Sequence, residues 1–282
     1  MAADYLSHLS NEWIAFLQSL QHHLILNMQS FFASFASSIT SSTSRSSSNS
    51  SASSKKESEI FDDSLPKKTI YLIRHAESEE NVKMHGLLEV GNSLYGRRLP
   101  AKDDLSNSLK FIGGAAAGDI DSNVSPQGRQ QINELFQILD ADQKKNMNSI
   151  KNDVDIIGHS PLIRARETCY GAFGLDRNEL PENVKELSCL EEATLWETAV
   201  KGRKNTVHKR IDELKQWIEN RTDEKTIALV GHSEYFMIML GISRAEKFWN
   251  CDVWKVDYQS GGRWTGLELK HRLDSSKPMG VM

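Results

Sequence analysis

With 282 residues, 39% of them apolar, the chain is long enough for one large domain or two small ones and rich enough to bury a core, which excludes a wholly disordered protein. A net charge of −4 and a pI near 6.2 leave no basic field for a phosphodiester backbone, so nucleic acid is excluded as a main partner. Three cysteines, Cys169, Cys189 and Cys251, are odd in number and widely spaced, which suits reduced, buried thiols in an intracellular, cytoplasmic protein and not a disulfide framework.

The chain begins with apolar residues at spacings of three or four: Leu6, Leu9, Trp13, Phe16, Leu20, Leu24, Met28, Phe31 and Phe35. That stripe predicts an amphipathic helix over residues 1–36. Gln18, Ser19, Gln21, His22 and His23 interrupt it well before the roughly 20 apolar residues a bilayer requires. A cationic polar face, the usual mark of an interfacial anchor, is absent, so membrane association has no support; docking on the domain or self-association into a homo-oligomer is favoured. Residues 34–54 hold 13 serines among 21 positions, too little apolar surface to offset ordering, so 37–66 is expected to be a flexible linker. The remaining 67–282 is expected to be the catalytic domain.

Past Lys68 strand-like and helix-like stretches alternate. Ile70, Tyr71, Leu72 and Ile73 make a buried-strand run. Residues 82–122 contain "GGAAAG" and are expected to form an irregular insertion or lid. In "NVSPQGRQQINELFQILD", Ser125 is placed to cap a helix that opens on Pro126 and turns Ile132, Leu135, Phe136 and Leu139 inward. "VDII" reads as a second buried strand, followed by a helix through Thr168. "VKELSCLEE" reads as a strand, "NTVHKRIDELKQWIENR" as a helix and "TIALVGH" as another buried strand. "FWNCDVWKVDY" and "GRWTGLELKH" read as a closing pair of edge strands. Such alternation predicts a doubly wound, mostly parallel α/β sheet flanked by helices, a three-layer α/β/α arrangement.

Three of these strands end in groups suited to a phosphate: Arg74-His75, then Ser160 and Arg164, then His232-Ser233. Ligands of open α/β sheets bind beyond the carboxyl ends of the strands, so two arginines and two histidines converge on one volume. Guanidinium forks match phosphoryl oxygens, and a neutral imidazole in line with phosphorus can take the group covalently. His159, beside Ser160, is expected to face solvent or a loop. Trp249, Trp254 and Trp264 are expected to pack in the core or at an edge, and Cys251 to be inert. No CxxC or HExxH pattern occurs, and two arginines supply the positive charge, so no metal or other cofactor is expected.

"RHAESEEN" resembles the RHGxSxxN signature of the histidine phosphatase superfamily, the phosphoglycerate mutase-like family, in its branch 1 type. "DSNVSPQGRQQ" is similar to its DxxL(S/T)xxGxxQ segment, "SPLIRARET" to SPLxRAxET, and "VGHSEYF" stands where the second histidine is expected. The resemblance implies a phosphoglycerate mutase-like fold and a phosphorylated nucleophile at His75. It implies a phosphate pocket of Arg74, Arg164 and His232, with Asn81 and Ser233 also binding phosphate. It also implies a general acid in "CLEEATLWE", for which Glu192 is preferred and Glu191 is the competitor. The implied activity is metal-independent hydrolysis of a phosphomonoester on a small molecule. A mutase-type transfer is the alternative, disfavoured because no "RLNERHYG"-like stretch occurs; a non-catalytic phospho-ligand scaffold is the other. Ala76 stands where the signature has glycine, a change expected to matter only if that position needs a positive φ.

Overall fold

Strand β1 (Lys67–Arg74) carries the buried run Ile70, Tyr71, Leu72 and Ile73, and its alternate side chains enter two separate cores. The computed structural model describes residues 67–95, 99–117, 121–145, 149–192, 204–243 and 248–274, all within the unit Asp62–Met282. The predicted helix 1–36 and linker 37–66 lie outside the described residues.

After β1 come helices α1 (Glu79–Tyr95), α2 (Lys102–Ala117), α3 (Pro126–Lys145) and the short α4 (Ile150–Asp153), then β2 (Ile156–His159) and α5 (Ile163–Phe173). Strand β3 (Val184–Glu186) and a 3₁₀ turn (Ser188–Leu190) precede α6 (Lys204–Glu219), β4 (Thr226–Gly231), α7 (Ser233–Leu240), β5 (Val253–Gln259) and β6 (Arg263–His271). The six described strands form one sheet in the order β3-β2-β4-β1-β5-β6. The first four are mutually parallel, and β5 and β6 add antiparallel at one side.

Side chains of successive strand residues point to opposite faces, and both faces are covered. On one, Ile70, Leu72, Ile227 and Leu229 pack with Val207, Ile211, Leu214 and Ile218 of α6 and with Tyr235 and Phe236 of α7. On the other, Tyr71, Ile73, Ala228 and Val230 pack with Ile132, Leu135 and Leu139 of α3 and with Cys169 and Ala172 of α5. The three-layer expectation therefore holds. Trp254 and Trp264 pack against the first cluster, as expected. Among the described residues, no helix is long and apolar enough to cross a membrane.

Two predicted elements need correction. Residues 82–122 are mainly helical: α1 and α2 occupy most of the segment expected to be irregular. Both open on acidic turns, Glu79 with Glu80 and Asp103 with Asp104, which suit helix N-termini. Their crossing is close because Gly86 has no side chain; a Cβ there would lie 2.7 Å from Asn107 Cβ and 3.0 Å from Asp104 O. At that crossing a glycine meets Asn107 and Asp104, residues that apolar periodicity does not mark. The second correction concerns "VKELSCLEE", of which only Val184–Glu186 is strand. Leu187 N donates to His159 O, and the 3₁₀ turn then buries Cys189 and Leu190 beside the core.

Candidate active site

The strand register brings the site together. Arg74 pairs with Gly231, and His159 with Val230, so β1, β2 and β4 end at one level. Beyond those ends His75 N donates to Gly231 O at 2.9 Å, and Ser160 N donates to Val230 O at 3.0 Å. His75, Ser160 and His232 thus leave neighbouring strand ends with their main chains tied together. The two imidazoles meet edge to face, with ring centroids 5.0 Å apart.

Most of the remaining motif residues hold this junction. Thr168 Oγ1 accepts from Ala76 N at 2.9 Å and donates to Arg164 O at 2.7 Å, joining the helix that carries Arg164 to the residue after His75. Asp121 Oδ1 accepts from Ile163 N at 2.7 Å, capping the same helix one residue before the arginine. Gln131 Oε1 accepts from Glu77 N, and Ser125 N donates to Glu77 O. Ser125 Oγ accepts from Gly128 N at 3.0 Å, the predicted cap. Gly128 is needed for the approach, since a Cβ there would fall 2.1 Å from Glu77 O.

On the other side, Arg74 Nη1 donates to Phe248 O at 2.7 Å and Asn250 Nδ2 to His75 O at 3.0 Å, while Cys251 N donates to Arg74 O. Buried Asp252 staples this turn: it accepts from Trp249 N and Trp254 Nε1 and pairs in two-pronged fashion with Arg272. Trp249 lies against the Arg272 guanidinium, 4.5 Å from its ring centroid.

The electrostatics assign protons. His75 is 2% exposed, and its Nδ1 lies 2.6 Å from Ala76 O. A carbonyl can only accept, so Nδ1 carries the proton and Nε2 keeps its lone pair. Burial, aided by the charge of Arg164, His232 and Arg74, holds the His75 pKa well below the ordinary imidazole value. The ring is a neutral base with a defined tautomer. His232, fully buried, has Nε2 at 2.8 Å from Ser160 Oγ. Its Nδ1 lies 3.1 Å from Glu192 Oε2, at ion-pair distance but off the line of a well-formed hydrogen bond. Burial lowers its pKa too, with Glu192 opposing. For Glu192 burial acts to raise the pKa, but His232, Arg164 and Arg74 outweigh it and hold the carboxyl below its usual range. Arg164 is 4% exposed and has Glu80 Oε2 at 3.3 Å from Nη1.

His75, Arg74, Arg164 and His232 therefore share one buried cluster with half-buried Glu192 at its edge, while Glu191 is exposed beside it. Asn81 stands at the start of α1, where its Oδ1 accepts from Ser78 N and its N donates to Ser78 Oγ, a reciprocal cap. Ser233 Oγ is buried without a hydrogen-bond partner among the described residues, as are Arg74 Nε and Glu192 Oε1. Buried polar atoms without partners are rare in a folded interior, and a ligand is one explanation for them. Ala76 has no positive φ, so the replaced glycine was not needed for its conformation.

His159 departs from expectation. It is 1% exposed because it ends β2 between two neighbouring strands, with Nδ1 donating to Ser160 O and its ring edge-on to Tyr170. Cys251 is inert as expected: burial pushes its thiol pKa far up. Sequence reasoning named Ser160 only as a strand-end group suited to a phosphate and gave Glu80 no role. Both sat inside quoted motifs, Ser160 in "SPLIRARET" and Glu80 in "RHAESEEN", and those positions were the available signal.

The donor atoms of His75, Glu192 and His232 lie within 4.8 Å of one another, the spacing of a shared metal ion. The two guanidinium charges felt at both imidazoles oppose a divalent cation and favour an anion. An anion with several oxygens, held against a neutral imidazole lone pair, is the chemistry this arrangement suits.

No protein-family model matches the chain, and no curated protein does. Among solved structures, the chain is similar to the alpha-ribazole phosphatase from Shigella flexneri, with 15% identity and a TM-score of 0.46 over 71% of this chain and 95% of that one. It is similar to the phosphoserine phosphatase from Entamoeba histolytica in complex with 3-phosphoglyceric acid, at 15% identity and TM-score 0.44 over 74% and 99% of the two chains. It is also similar to the phosphoglycerate mutase from Bacillus anthracis, at 15% and 0.44 over 73% and 93%.

Proposed function

We propose that the protein is an intracellular phosphomonoesterase that works through a phosphohistidine on His75. The observation that carries this reading is the bond from His75 Nδ1 to Ala76 O, which leaves Nε2 as a neutral nucleophile in a pocket with two buried guanidiniums. Arg74 and Arg164 hold the nonbridging oxygens, and being fixed beforehand they stabilise developing charge by several kcal/mol, while both His232 nitrogens face Ser160 and Glu192. The Nε2 lone pair attacks phosphorus, the ester bond breaks, and Glu192 protonates the departing oxygen. Water then attacks the phosphohistidine with Glu192 as base, releasing inorganic phosphate. The buried free thiols of Cys169, Cys189 and Cys251 suit a reducing compartment.

The test uses the full-length protein and His75→Ala with a panel of phosphorylated metabolites, following phosphate release and an acid-labile, base-stable phosphoenzyme. Wild type is expected to release phosphate and to trap label on His75, and the variant to do neither. No phosphoenzyme from any donor would sink the covalent mechanism and leave a phospho-ligand scaffold. Transfer to glycerate without net hydrolysis would turn the reading to a mutase.

A further inference from the structure

Glu192 must carry a proton when the ester bond breaks, yet the free site holds it as a carboxylate under the influence of two guanidiniums and His232. Its surroundings contain one continuous path to a replacement. Ser160 Oγ lies 2.8 Å from His232 Nε2, and His232 Nδ1 lies 3.1 Å from Glu192 Oε2. Ser160 and His232 are both fully buried, whereas the Glu192 side chain at the far end is 22% exposed. Ser160 is fixed by its main-chain bond to Val230 O, and its other contact, Leu162 N at 3.4 Å, is a donor. The hydroxyl hydrogen is therefore left to His232, and a lone pair of Oγ is left to accept.

We propose that Ser160, His232 and Glu192 form a proton relay that carries the acidic proton of a phosphomonoester monoanion to its own leaving oxygen. This rests on the phosphohistidine reading and deepens it. The substrate P–O–H proton passes to Ser160 Oγ as the serine hydrogen passes to His232 Nε2. The Nδ1 hydrogen of His232 passes to Glu192, after a small rotation aligns the carboxylate. Glu192 gives that proton to the ester oxygen as the P–O bond breaks and the His75 Nε2–P bond forms. The balance closes with the alcohol neutral, Glu192 again a carboxylate, Ser160 a hydroxyl and His232 neutral with its hydrogen on Nε2. When water attacks the phosphohistidine, the same steps run in reverse: Glu192 takes the water proton, His232 returns to its Nδ1–H form, and Ser160 returns a proton to phosphate. Ser160 thus acts through His232.

The leaving group gives a readout that a merely structural or binding role would not move. Ser160→Ala and Ser160→Thr are compared with wild type on glycerol 2-phosphate, whose alkoxide needs a proton, and on p-nitrophenyl phosphate, whose phenolate leaves without one. Loss of the relay is expected to lower kcat/KM for the alkyl ester by at least about 10-fold more than for the aryl ester. Ser160→Thr, which keeps the hydroxyl, is expected to recover most of the alkyl activity. Turnover of the aryl ester also shows that the variants fold. Equal losses on both esters, or no loss on either, would overturn the relay while leaving the phosphohistidine intact. Failure of wild type to release phosphate from any ester, the metabolite panel included, would instead remove the phosphatase reading, and the relay with it.

Discussion

Glu191 and Glu192 are chemically identical neighbours with opposite environments. The 3₁₀ turn Ser188–Leu190 buries Leu190 completely, leaves Glu191 exposed and brings the Glu192 carboxylate to His232. Glu192→Gln is expected to lower kcat/KM for alkyl phosphates by about 10²-fold to 10⁴-fold, the range of a lost general acid. Glu191→Gln is expected to stay within about twofold, since its side chain faces solvent. Phosphate release from glycerol 2-phosphate measures both; a larger loss from the Glu191 change would reverse the assignment. The motif "LEE" placed an acid here and its spacing preferred Glu192, with Glu191 left as competitor because the turn geometry that separates them is announced by no residue type in the stretch. Ser160 shows the same limit. Its motif position was legible, but its bond to His232, 72 residues away, was not.

At the scale of elements, the α3 start and the segment after β1 form one joint. Ser125, Gly128 and Gln131 each engage Glu77, two residues past His75, through backbone or side-chain contacts. Gly128→Ala would drive a Cβ into Glu77 O at 2.1 Å, a backbone contact that cannot swing aside. Overpacking of this kind is expected to cost about 2 kcal/mol in urea unfolding. A shifted His75 is expected to lose at least about 10-fold in kcat/KM. Unchanged stability would show that α3 moves freely against the segment after β1. The cap at Ser125 was legible because capping is local chemistry. The α1–α2 hairpin was not, because its helices cross where Gly86 meets Asn107 and Asp104, residues that apolar periodicity does not mark.

For the whole molecule, burying imidazoles sets the acid limit. Burial first lowers the pKa values of His75, His232 and His159 below the ordinary 6.5. Below that value the unfolded chain binds protons that the folded chain refuses. Their contribution is fully present above pH 6.5 and is lost as pH falls toward each folded-state pKa. Glu192, with its pKa held down, adds to the loss at lower pH. The expected slope is about 1 kcal/mol per pH unit for each histidine that remains neutral. Urea midpoints at pH 7.5, 6.5, 5.5 and 4.5 measure it; a flat profile down to pH 5 would show that these rings accept protons in the folded state.

What the amino-acid order determined by itself is what short-range physics decides. Apolar runs set β1, β2 and β4, a serine cap set the start of α3, and alternation implied helices on both faces of a mainly parallel sheet. The candidate groups at the strand ends followed, because a strand that stays buried must present its next polar residues at its end. Tertiary structure alone decided what lies across the gap. The register Arg74 to Gly231 and His159 to Val230 brought three strand ends level. The Ala76 carbonyl chose the His75 tautomer, and burial chose its charge. The register and the burial depend on residues far apart in the chain, which only the packed sheet brings within reach; the Ala76 contact joins neighbours, and the packing around them fixes its geometry.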